Sequence, residues 1–178
     1  MVDYTDFNFI GTYEHAVDAK GRLAVPTQFR RKLQPVATHG LVLARGPNHC
    51  IELYTRDAWI EHVRETVGEM PLYDPQARRL RRAKLGNAWE VEMDEQGRVL
   101  IPQALREMSG IAGAAVVTGV GSFIEVWDPA RYREYSGEAD ENYDRDLVEM
   151  DRLQRERGGR TGDEPGTQGD VPPAGDGR

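Results

Sequence analysis

Two five-residue runs carry the chemistry most open to this chain. Asp18-Ala19-Lys20-Gly21-Arg22 and Asp94-Glu95-Gln96-Gly97-Arg98 each set a carboxylate four residues ahead of a guanidinium, with a glycine between them. An aspartate at the head of such a bend accepts hydrogen bonds from backbone N–H groups ahead of it, and a glycine takes a positive φ at no steric cost. Asp18, Gly21, Asp94 and Gly97 therefore read as turn-formers. Arginine presents a planar fork that suits phosphate or a guanine edge. Arg22 and Arg98 thus have two readings: cations offered to a nucleic acid, or partners of their own Asp18 and Asp94 across the turn. Lys20 reads as a further cation for nucleic acid or as solvated surface. Gln96 stands at the matching position, so the two turns are not equivalent binders. Arg30, Arg31 and Lys32 follow the first turn closely and are candidate phosphate contacts.

The two runs belong to a longer duplication. Asp18 to Arg30 aligns with Asp94 to Arg106 at an offset of 76, with Asp, Gly, Arg, Pro and the later Arg identical. Ile51-Glu52-Leu53-Tyr54 aligns with Ile124-Glu125-Val126-Trp127 at an offset of 73, and Trp59 then falls opposite Tyr132. Two blocks recurring in the same order indicate an internal repeat. A change in loop length between the blocks absorbs the three-residue difference cheaply.

The elements that must position these turns follow from local pattern. Phe9 to His15 and Ala88 to Met93 read as strands, the second alternating Trp89, Val91 and Met93 with Glu90 and Glu92. After each turn the chain re-enters as a strand at Arg22-Leu-Ala-Val and Arg98-Val-Leu-Ile. Pro26 and Pro102 end those strands ahead of short helices, Thr27 to Leu33 and Gln103 to Met108. Further strands are expected near Leu41–Ala44, Cys50–Tyr54, Ala115–Thr118 and Phe123–Trp127. Thr55 can cap a helix to about Val67, Asp74-Pro75 opens a helix to Leu85 stopped by Gly86, and Asp128-Pro129 opens one through Tyr135.

Composition sets bounds on function. The 178 residues are 39% apolar and 30% charged, enough for a folded core. No apolar run is long enough to span a bilayer, and the start does not read as a secretory signal. The single cysteine, Cys50, reads as a small buried hydrophobe in a reducing compartment. Net charge is −7, which at first argues against nucleic acid. From Ser136 onward, however, there are 12 acidic and 6 basic residues, which leaves 18 acidic and 17 basic before it. The body is thus near neutral, with its cations clustered, and clusters outweigh distant charge once salt screens it.

Other features have plainer readings. Arg78, Arg79, Arg81, Arg82 and Lys84 spread over more than one helical face, where a neighbouring subunit's acidic residues, DNA or solvent could meet them. Trp59, Trp89, Trp127 and Tyr132 suit a core or subunit interface. Gly119-Val-Gly121 lacks the third glycine of a dinucleotide site and reads as a hairpin. His15 with Asp18 gives two metal ligands without a third. No catalytic triad, metal cluster or phosphate loop stands out, so no catalytic residue, metal or cofactor is assigned. Two alternatives stay open: a small β-barrel-like enzyme using carboxylates, and an interaction protein that sequesters a partner through its acidic tail.

Gly11-Thr-Tyr-Glu-His15, the two Asp-x-x-Gly-Arg units with their prolines, Trp59 and Gln76-Ala-Arg-Arg79 together resemble the MraZ family, related in fold to AbrB-type swapped-hairpin proteins. The resemblance covers Phe9 to Tyr135. It implies an α+β fold of two tandem AbrB-like β-rich halves with short helices and a pseudo-two-fold within the chain. The segments would be a first repeat over 9–68, a linking basic helix over 69–86, a second repeat over 87–135, a charged helical extension over 136–157 and a disordered tail over 158–178. It further implies a cytoplasmic, nucleoid-associated transcriptional regulator. Such a regulator would assemble into a closed homo-oligomeric ring and bind repeated double-stranded promoter sites of the division and cell-wall gene cluster. Lys20, Arg22, Arg30, Arg31 and Arg98 would contact DNA. The first eight residues precede the family's usual start, and the acidic Gly-rich tail is longer than the fold needs.

Overall fold

A computed structural model describes residues 9–35 and 40–158. The chain divides into two units, Met1–Tyr135 and Ser136–Arg178. The described strands are β1 (Thr12–Ala16), β2 (Arg22–Ala24), β3 (Leu41–Arg45), β4 (Ile51–Thr55), β5 (Ala88–Val91), β6 (Arg98–Leu100), β7 (Ala114–Gly119) and β8 (Ile124–Trp127). The helices are α1 (Thr27–Leu33), α2 (Arg56–Val63), α3 (Pro75–Leu85), α4 (Gln103–Ser109) and α5 (Pro129–Gly158).

Six strands form one sheet in the order β1-β7-β8-β4-β3-β5, every neighbour antiparallel. The first strand of each repeat pairs with the other repeat. Tyr13 of β1 faces Val117 of β7, and Trp89 of β5 faces Leu43 of β3. Exchanging the two repeats returns the same order read backward, which is the pseudo-two-fold expected of an α+β duplication. The repeats therefore interleave, and each supplies an edge strand to its counterpart. β2 and β6 form a separate two-stranded ribbon, Arg22 opposite Leu100 and Ala24 opposite Arg98.

One apolar cluster binds ribbon, sheet and helices. Leu23 and Val99 of the ribbon, Phe29 and Leu33 of α1, and Leu105 of α4 are buried with Leu43, Leu53, Val117 and Val126 of the sheet. Each such side chain contributes about 1.5–3 kcal/mol when removed from water.

The helix starts match their sequence signals. Thr55 Oγ1 accepts from Ala58 N at 3.2 Å, and Asp74 Oδ1 accepts from Ala77 N at 2.7 Å. Asp128 Oδ1 accepts from the N–H groups of Ala130 and Arg131. Each satisfies a donor that the first helical turn would otherwise leave unpaired.

Two expectations need correction. The strand expected over Phe9 to His15 is broken at Gly11, whose φ is +97°; Phe9 instead exchanges two backbone hydrogen bonds with Gly121. The helix capped by Thr55 gives way after Val63 to a π-helical turn, Arg64–Gly68. The helix expected through Tyr135 and the charged helical extension expected after it form one helix of 30 residues from Pro129. Gly137 inside it costs only about 1 kcal/mol relative to alanine, too little to end a helix. The first eight residues and the tail from 159 lie outside the described residues.

Candidate nucleic-acid interface

Both Asp-x-x-Gly-Arg runs form the same turn. Asp18 Oδ1 accepts from Lys20 N at 2.9 Å and Arg22 N at 3.0 Å, while Gly21 N donates to Asp18 O at 2.8 Å. In the second repeat Asp94 Oδ1 accepts from Gln96 N at 3.0 Å and Arg98 N at 2.9 Å, and Gly97 N donates to Asp94 O at 2.8 Å. Gly21 and Gly97 sit at φ +83° and +76°, a region most side chains avoid.

The ribbon register then decides which side chains face out. Strand residues alternate faces. Leu23 stands opposite Val99, and both are buried in the core. Arg22, Ala24, Arg98 and Leu100 therefore share the outer face, and Leu100 is 53% exposed there. Both arginines thus lie on one surface, built from both repeats.

Each arginine also holds its own aspartate, so the two sequence readings coexist. Arg22 Nε donates to Asp18 Oδ2 at 2.7 Å. Arg98 Nε donates to Asp94 Oδ2 at 2.9 Å, and its Nη2 stands 2.8 Å from the same oxygen. The arginine side chains remain 32% and 24% exposed. The Arg22 bond runs through Nε and leaves the Nη edge of the guanidinium outside it. The two aspartates titrate below the ordinary carboxylate range. For Asp18 the largest cause is the backbone hydrogen bond from Arg22; for Asp94 it is the Arg98 side chain.

The turns are locked crosswise. Val25 N donates to Gly97 O at 3.0 Å, and Ile101 N donates to Gly21 O at 2.9 Å. Arg30 of α1 packs over Gly97 and donates from Nη1 to Gln96 O at 3.3 Å. Arg106 of α4 packs over Gly21. Lys20 is exposed at the tip of the first turn, and Arg31 is exposed on α1.

The basic α3 divides its cations. Arg81 is turned inward, its guanidinium donating to the carbonyls of Val67, Gly68 and Met70. Lys84 Nζ lies 2.5 Å from Glu52 Oε2, with side-chain exposures of 16% and 5%. Only Arg78, Arg79 and Arg82 of the five are exposed. Around the Lys84–Glu52 pair lies a buried polar cluster that sequence reasoning missed. Glu52 faces Glu125 across β4 and β8, and Trp127 Nε1 donates to Glu125 Oε2 at 2.9 Å. Burial raises the Glu125 carboxyl above its usual range. Burial likewise pushes the Cys50 thiol well up, so it is held unreactive. The Glu52/Glu125 alignment in the repeat was the available signal, but two polar residues in apolar strands do not announce burial. Arg106, the repeat counterpart of Arg30, was not singled out by the sequence, although its side chain lies against the first turn at Gly21.

Gly119-Val-Gly121 forms the hairpin between β7 and β8, with Gly121 at φ +85°. Among the described residues there is no group of three or more His, Cys, Asp or Glu side chains placed to hold a metal ion. No described helix is long and apolar enough to cross a membrane.

Comparison with known proteins matches the chain to the family model described as "MraZ protein, putative antitoxin-like" over residues 8–83 and 85–153. The chain is 40% identical over 124 residues to the "Transcriptional regulator MraZ" of Thermomicrobium roseum, covering 70% of this chain and 84% of that protein. It is 42% identical over 125 residues to the protein of that name from Herpetosiphon aurantiacus, again over 70% and 84%. To that of Polaromonas sp. it is 41% identical over 124 residues, with the same two shares. With the duplicated turn, the interleaved sheet and matches over both repeats, the chain belongs to the MraZ family.

Proposed function

We propose that this chain regulates transcription by gripping duplex DNA with the outer face of the β2–β6 ribbon. The observation that carries the reading is the register that brings Arg22 and Arg98 onto one face while Leu23 and Val99 anchor it in the core. The relatives' printed name, transcriptional regulator, supports the role. Phosphate neutralisation supplies most of the affinity, and arginine forks aimed at base edges supply sequence preference. Arg22, with its Nη edge outside the Asp18 bond, is the stronger reader of the two. Lys20, Arg30 and Arg31 add phosphate contacts.

One ribbon gives modest affinity. Copies assembled as a closed ring gain avidity when promoter sites recur at matching spacing. The reading places the protein in the cytoplasm at the nucleoid, acting on the division and cell-wall gene cluster. The test is fluorescence anisotropy with the duplex upstream of the protein's own coding sequence, against a scrambled duplex, over about 50–200 mM salt. Affinity that falls steeply with salt and favours the upstream duplex supports the reading. Absence of duplex binding at the lowest salt, or equal affinity for both duplexes, overturns it.

A further inference from the structure

The cations at the two turns are not evenly supplied along the chain. Residues 18–33 hold Lys20, Arg22, Arg30, Arg31 and Lys32 against Asp18, a balance of four positive charges. Residues 94–109 hold Arg98 and Arg106 against Asp94, Glu95 and Glu107, a balance of one negative charge. If each turn were served by its own helix, the second end of the ribbon would repel a phosphate backbone.

The fold redistributes this charge. Arg30 of α1 lies over the second turn, and Arg106 of α4 lies over the first. The first turn with α4 then counts Lys20, Arg22 and Arg106 against Asp18 and Glu107, one positive charge. The second turn with α1 counts Arg98, Arg30, Arg31 and Lys32 against Asp94 and Glu95, two positive charges. Both ends become cationic.

Arg106 is also the less committed of the two crossing arginines. Its Nε is buried without a hydrogen-bond partner. Its side chain borders an open concavity shared with Gln103, Glu107 and Gly110. Arg22 and Arg98 are each tied to a carboxylate; no ion pair is formed by Arg106 among the described residues.

We infer that Arg106 is a phosphate contact delivered to the first turn from the other repeat, the counterpart of Arg30 at the second turn. Each DNA-facing end is then a composite of both repeats. This rests on the proposed DNA-binding role and extends it to a residue that the order of the chain alone does not place at that turn.

The test uses the full chain and its upstream duplex, comparing Arg106→Gln and Arg106→Lys with the unaltered protein by anisotropy over the same salt range. Circular dichroism and particle size establish that each variant folds and assembles. Arg106→Gln is expected to lower the slope of log affinity against log salt by about one unit for each phosphate no longer neutralised, without changing the ranking of duplex sequences. Arg106→Lys is expected to keep the slope. If the unaltered protein binds and Arg106→Gln keeps its slope and affinity, this inference fails while the DNA reading stands. If the unaltered protein binds no duplex, both fail. Should Arg106→Gln not fold, Arg106→Met takes its place and is read the same way: a lowered slope supports the inference, and an unchanged slope contradicts it.

Discussion

Arg98 Nη1 stands 3.8 Å from Oδ2 of Asp18, the aspartate of the opposite repeat. The two turns are thus coupled electrostatically as well as through the ribbon: Asp18 faces Arg22 at 2.7 Å and Arg98 further off. A change at one turn reaches the other, and the carboxylates tune how much positive charge the outer face presents.

That coupling gives an acid-side prediction. Asp18 and Asp94 titrate below their ordinary value of 3.8. A lowered folded-state value means that their contribution is present above the unfolded value and is lost as pH falls through the folded one. An Asp18→Asn, Asp94→Asn variant should therefore melt below the unaltered protein at neutral pH, and the two should converge in strong acid. Thermal melts from about pH 2 to pH 7 check this. A difference that persists unchanged at the acid end counts against the ion pairs as its source.

Gly21→Ala should destabilise the fold by about 1–3 kcal/mol, because it forces a side chain to a left-handed φ. It also drives a Cβ to within 2.6 Å of Arg106 Cζ. The second cost is removable: Gly21→Ala combined with Arg106→Ala should be less destabilised than the sum of the two single changes. Urea denaturation of the four proteins measures the coupling, and strict additivity would show that Arg106 does not pack on the turn.

The buried polar cluster separates a pair that holds from a charge that does not. Lys84→Met strands the Glu52 carboxylate away from water and should cost about 3–5 kcal/mol. Glu125→Gln keeps an acceptor for Trp127 and removes a carboxylate whose folded value is raised. A raised value means stability is present below the unfolded value and lost as pH rises through the folded one. Glu125→Gln should thus stabilise the protein near neutral pH, with the gain vanishing below the ordinary carboxylate range. Denaturation midpoints across pH test both variants.

Much of this architecture is legible in the residues. The Asp-x-x-Gly-Arg turns, the caps Thr55, Asp74 and Asp128, and the duplication all act locally, through hydrogen bonds within a few positions of the chain. Partner choice between strands does not. The alternation in Trp89-Glu90-Val91 indicates a half-buried strand, but nothing in it says that β5 pairs with β3 of the other repeat rather than with its own. The crosswise seating of Arg30 and Arg106 is hidden for the same reason. Charge alone could not separate inward Arg81 and Lys84 from outward Arg78, Arg79 and Arg82. What decides it is which carbonyls and carboxylates the rest of the fold brings beneath α3.

The outer face of the ribbon is tested most directly by Arg22→Ala and Arg98→Ala in a gel-shift assay on the upstream duplex, with particle size measured alongside. The expected result is loss of the specific shift in Arg22→Ala, a smaller loss in Arg98→Ala, and unchanged assembly in both. An assembled Arg22→Ala protein that shifts the duplex as the unaltered chain does would contradict the account.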